Sequence, residues 1–152
     1  LSKMNWISSE GGPLILVVRK SLRYWAGLDG SDYERACAVC DYAGTIRVGN
    51  SEAVVLGDEP CQTAIYSSPH INNLVIVRWQ WAESESQLER YLSDITNNTF
   101  SRPEEELRFN NTDEELLLFD SVLAGSQANG LRVKLSSGQA NRTMWLQSSQ
   151  AR

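Results

Sequence analysis

With 152 residues, 41% of them hydrophobic and 22% charged, the chain matches neither a disordered nor a membrane-embedded composition. A chain of this size buries roughly 70% of the surface its unfolded form exposes, enough for one core without disulfide or metal staples. Its net charge of −5 and pI near 4.9 argue against a nucleic-acid ligand, because neutralising phosphates requires a coherent basic surface.

The charge is unevenly spread. Glu83 to Asp120 holds eleven acids against three arginines, whereas residues 121–152 hold four bases and no acid. Such an acidic middle reads either as a solvated face or as a surface turned toward a partner. The longest apolar run, Leu14 to Val18, is far below the roughly 20 residues that span a bilayer, so no membrane partner is expected. No apolar signal core follows Lys3, and three cysteines, an odd number, suit a reducing compartment; both point to a cytoplasmic location. Met4 is the candidate natural start, with Leu1-Ser2-Lys3 a remnant ahead of it.

Asn5 to Ser9 and Leu14 to Val18 flank Glu10-Gly11-Gly12-Pro13, which predicts an opening hairpin. Leu14 to Val18 is apolar at every position and predicts a central strand. Ser21 to Gly27 reads as a helical turn with Ser21 as N-cap and Gly27 just past its end. Ser31-Asp32-Tyr33-Glu34 fits a capping box that starts a short helix reaching about Val39. Thr45 to Arg47 and Ala53 to Leu56 pair through Gly49-Asn50, and the second of these strands stops at Gly57-Asp58-Glu59-Pro60. Gly57 is expected to supply a positive φ there and Pro60 to keep Glu59 extended, presenting Asp58 and Glu59 as a rigid acidic corner.

Gln62 to Tyr66 predicts a further strand. Leu74 to Ala82 alternates so that Val75, Val77, Trp79 and Trp81 share a core face while Leu74, Ile76, Arg78 and Gln80 take the other, which turns polar toward its end. For Arg78 a structural ion-pair role is favoured over a contact role. Ser86-Gln87-Leu88-Glu89 fits a second capping box, with Leu88, Tyr91, Leu92 and Ile95 forming the stripe of one amphipathic helix. Glu104-Glu105-Glu106 after Pro103 reads as a helix start or an acidic loop. Leu116 to Phe119, Leu131 to Leu135 and Thr143 to Gln147 complete the strands, and the chain after Ser148 is expected to fray. The pattern predicts an α+β fold in a single domain, mainly antiparallel sheet with one clear amphipathic helix and short accessory helices.

Trp6-Ile7-Ser8-Ser9-Glu10-Gly11-Gly12-Pro13-Leu14, Tyr24-Trp25-Ala26-Gly27, Asp32-Tyr33-Glu34-Arg35-Ala36-Cys37 and Gly57-Asp58-Glu59-Pro60, in this order and spacing, resemble immunity protein family 21 of bacterial polymorphic toxin systems. These motifs cover about the first half of the chain; Leu117-Leu118-Phe119-Asp120-Ser121 is compatible with the family but less specific. The resemblance implies a small cytosolic protein that binds and neutralises a cognate toxin domain. It implies no enzymatic activity, catalytic residue or cofactor.

Side-chain chemistry adds little to an enzyme reading. Cys37, Cys40, Cys61 and His70 would have to converge to hold zinc, and a single C-x-x-C is more often two small buried hydrophobes. No nucleophile, Walker or dinucleotide motif occurs, and Asp58-Glu59, adjacent on one strand end, diverge rather than flank one bond. A small-molecule-binding β-rich domain, its cavity lined by some of the five tryptophans, is the alternative. Against a cationic, nucleic-acid-targeting toxin the acidic segments would act as phosphate mimics that speed association. The candidate contacts are Glu104, Glu105, Glu106, Asp113, Glu114, Glu115, Asp58 and Glu59.

Overall fold

A strand that is apolar at every position can be satisfied only between two other strands and two covered faces. In the computed structural model, β2 (Leu14–Val18) has all five residues buried and lies at the centre of a five-stranded antiparallel sheet. The structure describes residues 4–57, 61–67, 74–79, 83–97, 105–110, 115–134 and 141–146. The sheet runs β3 (Gly44–Val48), β4 (Ser51–Leu56), β2, β8 (Glu115–Asp120), β9 (Leu131–Lys134). A second antiparallel sheet runs β1 (Trp6–Ile7), β5 (Gln62–Ser67), β6 (Leu74–Trp79), and β7 (Glu105–Asn110) pairs with β10 (Asn141–Leu146) in a two-stranded ribbon. The fold is α+β, as the sequence pattern predicts.

Alternation along the strands divides the apolar residues among three layers. Leu14, Leu16, Val18, Leu116 and Leu118 face Ile7, Ile65 and Ile76 of the three-stranded sheet, so the first layer lies between the sheets. Ile15, Val17, Val55 and Phe119 point the other way, under Trp25 and Ala36. Ala64 and Val77 carry the third layer, closed by Met4, Leu88 and Leu92. Each fully buried aliphatic side chain stabilises the fold by about 1.5–3 kcal/mol. Both faces of β6 are therefore packed, and within the described strand its second face turns polar at Arg78, whose guanidinium donates from Nε to Cys61 Sγ at 3.1 Å. Trp81 and Gln80 lie outside the described residues.

The β3–β4 hairpin follows its turn residues. Val48 pairs with Ser51 around Gly49-Asn50, and only Gly49 has positive φ, 60°, as in a type II′ turn. The opening hairpin does not form. β1 pairs with β5 (Trp6↔Ala64) while β2 pairs with β4 and β8. Trp6 instead packs against Trp79 in the third layer, with ring centroids 5.4 Å apart and planes tilted by 54°, which places β1 with the three-stranded sheet. Glu10-Gly11-Gly12-Pro13 thus carries the chain from one sheet to the other. At Gly57 the expected positive φ is also absent; glycine is required there because a Cβ would meet Asp41 O at 2.5 Å and Val39 O at 2.6 Å.

Local helical signals are right in place but not in mechanism. A 3-10 turn covers Arg19–Tyr24, with Val18 rather than Ser21 as its N-cap and Trp25 as its C-cap; Ser21 is buried inside it. Gly27 takes the positive φ, 67°, but opens a second 3-10 turn, Gly27–Asp29, instead of ending the first. Helix α1 (Asp32–Cys37) starts after Ser31 without a side-chain cap bond. Helix α2 (Glu85–Asn97) starts before the predicted box: Ser84 Oγ accepts the Gln87 N–H at 3.2 Å and Gln87 Oε1 accepts the Glu83 N–H at 2.8 Å. The operative box is Ser84-Glu85-Ser86-Gln87, two residues upstream. Leu88 and Leu92 are buried as predicted, whereas the side chains of Tyr91 and Ile95 lie outside the described residues.

Candidate partner-binding surfaces

Of the eight acids proposed as contacts, Asp58, Glu59, Glu104, Asp113 and Glu114 lie outside the described residues. Glu105 and Glu106 are placed by backbone register only. They open β7, opposite Leu146 and Trp145, so they belong neither to a helix start nor to a loop. Pairing with β10 from the far end of the chain decides this, and no local propensity announces it.

One residue beyond the Val18↔Leu116 pair, β2 runs out into Arg19, and Arg19 Nη1 donates to Glu115 Oε2 at 2.7 Å. On its other side Glu115 is in register with Lys134, and Leu117 with Arg132. The hydrogen bond from Arg19, then its charge, hold the Glu115 carboxyl below the usual glutamate range, and Lys134 and Arg132 add smaller pulls in the same direction. Glu115 is thus an acid inside a basic setting, unlike the uniformly acidic surface its sequence neighbours suggest. Arg19 and Glu115 keep 71% and 52% of their side-chain surface exposed, so solvent screens the pair.

A second feature lies where the chain crosses between sheets. The Asp120 carboxylate, buried at the end of β8, accepts the Glu10 N–H through Oδ2 and the Val122 N–H through Oδ1 at 3.0 Å. Ser121 N–H donates to Pro13 O at 3.1 Å, and Ser9 Oγ closes the loop onto Gly12 O. Gly12 is needed for close approach, because a Cβ there would meet Tyr33 Oη at 2.9 Å and Ser121 Oγ at 2.6 Å. Burial pushes the Tyr33 phenol up, and a hydrogen bond with the Cys37 thiol adds to the rise. Beside this clamp a cavity of about 210 Å³ is lined by Ser9, Gly12, Ala36, Cys37, Gly57 and Arg78 among others. The sequence signal for this role of Asp120 is an acid that ends the apolar run Leu116 to Phe119 and is followed directly by Ser121.

Cys37 and Cys40 are exposed, Cys61 is half-buried, and His70 lies outside the described residues. Among the described residues no group of three or more His, Cys, Asp or Glu side chains is arranged to hold a metal. Nor is any helix among them long and apolar enough to cross a membrane.

A family model described as Immunity protein 21 matches residues 5–149. The chain belongs to the Immunity protein 21 family. The match takes in every strand from β1 to β10, so the family is defined over both sheets and the ribbon and not over the first half alone. No curated protein and no solved structure matches the chain. Membership in the Immunity protein 21 family supports an immunity role, with a toxin as the general kind of partner.

Proposed function

We propose that this chain is an immunity protein that binds a cognate bacterial polymorphic toxin directly and neutralises it, acting in the cytoplasm of the producing cell and its siblings. It works as one domain, by occupying the toxin and not by catalysis. The observation that carries this reading is the family match over residues 5–149. The acidic segments Glu104 to Glu106, Asp113 to Glu114 and Asp58-Glu59 supply the electrostatic attraction toward a cationic, nucleic-acid-targeting toxin. Glu115, already paired with Arg19, contributes least to that attraction.

The small-molecule alternative has less support. The cavity of about 210 Å³ is smaller than the roughly 300–1,000 Å³ of ligand pockets. Trp6, Trp25 and Trp79 do not line it; Trp25 is fully buried in one core layer, and Trp6 and Trp79 pack against each other in another. Co-expression with the cognate toxin domain tests the proposal. Growth restored by the chain, and not by an unrelated acidic protein of equal charge, is the expected result; continued killing at matched expression contradicts it.

A further inference from the structure

The acidic chain carries a local basic surface, and its parts are held in place. Among the described residues, Arg19, Arg132 and Lys134 surround Glu115 on the sheet face that also bears Leu117, three cations against one anion, all exposed. From Arg19 the 3-10 turn runs to Arg23 and Tyr24, about 8 Å further along its axis at roughly 2 Å per residue. The Arg23 guanidinium lies 4.8 Å from the Tyr24 ring centroid, and its Nη2 donates to Tyr24 Oη at 2.8 Å. Tyr24 remains 46% exposed although its ring rests against Gly49, where any Cβ would collide with it.

The support beneath this turn is rigid. Trp25, next to Tyr24, is fully buried, and its Nε1–H donates to Ser121 O at 2.9 Å. Gly125 N–H donates to Trp25 O at 2.8 Å, and Gly125 packs so closely on Leu22 O that no side chain fits between them. An exposed tyrosine and arginine already fixed in place lose little freedom on binding, and these two residue types dominate interface hot spots.

We propose that this surface, Arg19, Arg132 and Lys134 continued by Arg23 and Tyr24, docks an acidic face of the toxin. The inference rests on the immunity reading and adds to it a second contact of opposite sign from the acidic segments. Charge complementarity selects an acidic partner. The chain's net charge of −5 favours a protein face over nucleic acid, whose uniform charge the rest of the molecule would repel.

The test titrates the toxin domain used in the rescue assay, in a catalytically inactive form, against the full chain and three variants. The Arg132→Glu/Lys134→Glu variant is expected to weaken Kd by about tenfold or more and to change its salt dependence, with the loss largely in the association rate. Tyr24→Ala is expected to weaken Kd by about tenfold through faster dissociation. Arg132→Gln/Lys134→Gln, which adds no repulsion, should fall between wild type and the reversal and guards against a folding artefact. Wild-type rescue together with unchanged Kd in all three variants overturns this surface while leaving the immunity reading intact. Failure of the wild-type chain to rescue overturns both. Binding of a 20-base-pair DNA duplex that is lost in Arg132→Glu/Lys134→Glu, with toxin binding unaffected, assigns the surface to nucleic acid and overturns the inference.

Discussion

Arg19 and Glu115 meet because β2 ends at its last ladder pair with β8, Val18↔Leu116, so the next residue delivers a cation opposite an anion at the sheet margin. The Glu115 carboxyl should titrate below the usual glutamate range by NMR, and Arg19→Ala should return its midpoint toward that range. Folding lowers this pKa, so the pair's contribution is present above the unfolded glutamate's value and fades as pH falls through the folded one. A midpoint unmoved by Arg19→Ala would contradict the assignment of cause. Glycine positions give a sharper stability test. Gly27 combines φ of 67° with a would-be Cβ 2.5 Å from Val122 O, so Gly27→Ala should cost about 1–3 kcal/mol in urea unfolding.

At the scale of elements, capping distinguishes the observed from the predicted start of α2. Ser84→Ala should cost about 1 kcal/mol, whereas Ser86→Ala should change stability by less than about half that. Equal losses at the two serines would return the box to Ser86. Both boxes satisfy the same four-residue rule in this serine-rich stretch, which is why local pattern misplaces the start by two residues. Strands were easier to read where burial imposes periodicity: β2, β6 and β9 follow from runs or alternation of apolar side chains, since a sheet face admits no other spacing. Pairing was legible only where a two-residue turn enforces it, as at Gly49-Asn50. β1 with β5 and β7 with β10 are joined by long stretches of chain, so local residues do not encode them.

For the whole molecule, the acids dominate the formal charge but do not determine every surface. Glu115 shows how a run that reads as uniformly negative is locally reversed by bases from β2's extension and from β9. Composition counts charges along the chain, while folding decides which charges become neighbours. The acidic-contact proposal therefore rests on segments other than Glu115. Reversing Glu104, Glu105 and Glu106 together should weaken toxin binding and reduce its sensitivity to salt; unchanged affinity and salt dependence would remove this segment from the interface. The family match extends through β10, so a chain cut after β9 would delete β10, one side of the ribbon, and should lose neutralisation even if the five-stranded sheet survives.

Isothermal titration of the purified chain into its cognate toxin domain, followed by assay of the toxin's activity on the same samples, tests direct neutralisation. Saturable binding at a fixed stoichiometry is expected, with activity falling in proportion to the fraction bound. Full toxin activity in the presence of excess chain, or inhibition without complex formation, would contradict it.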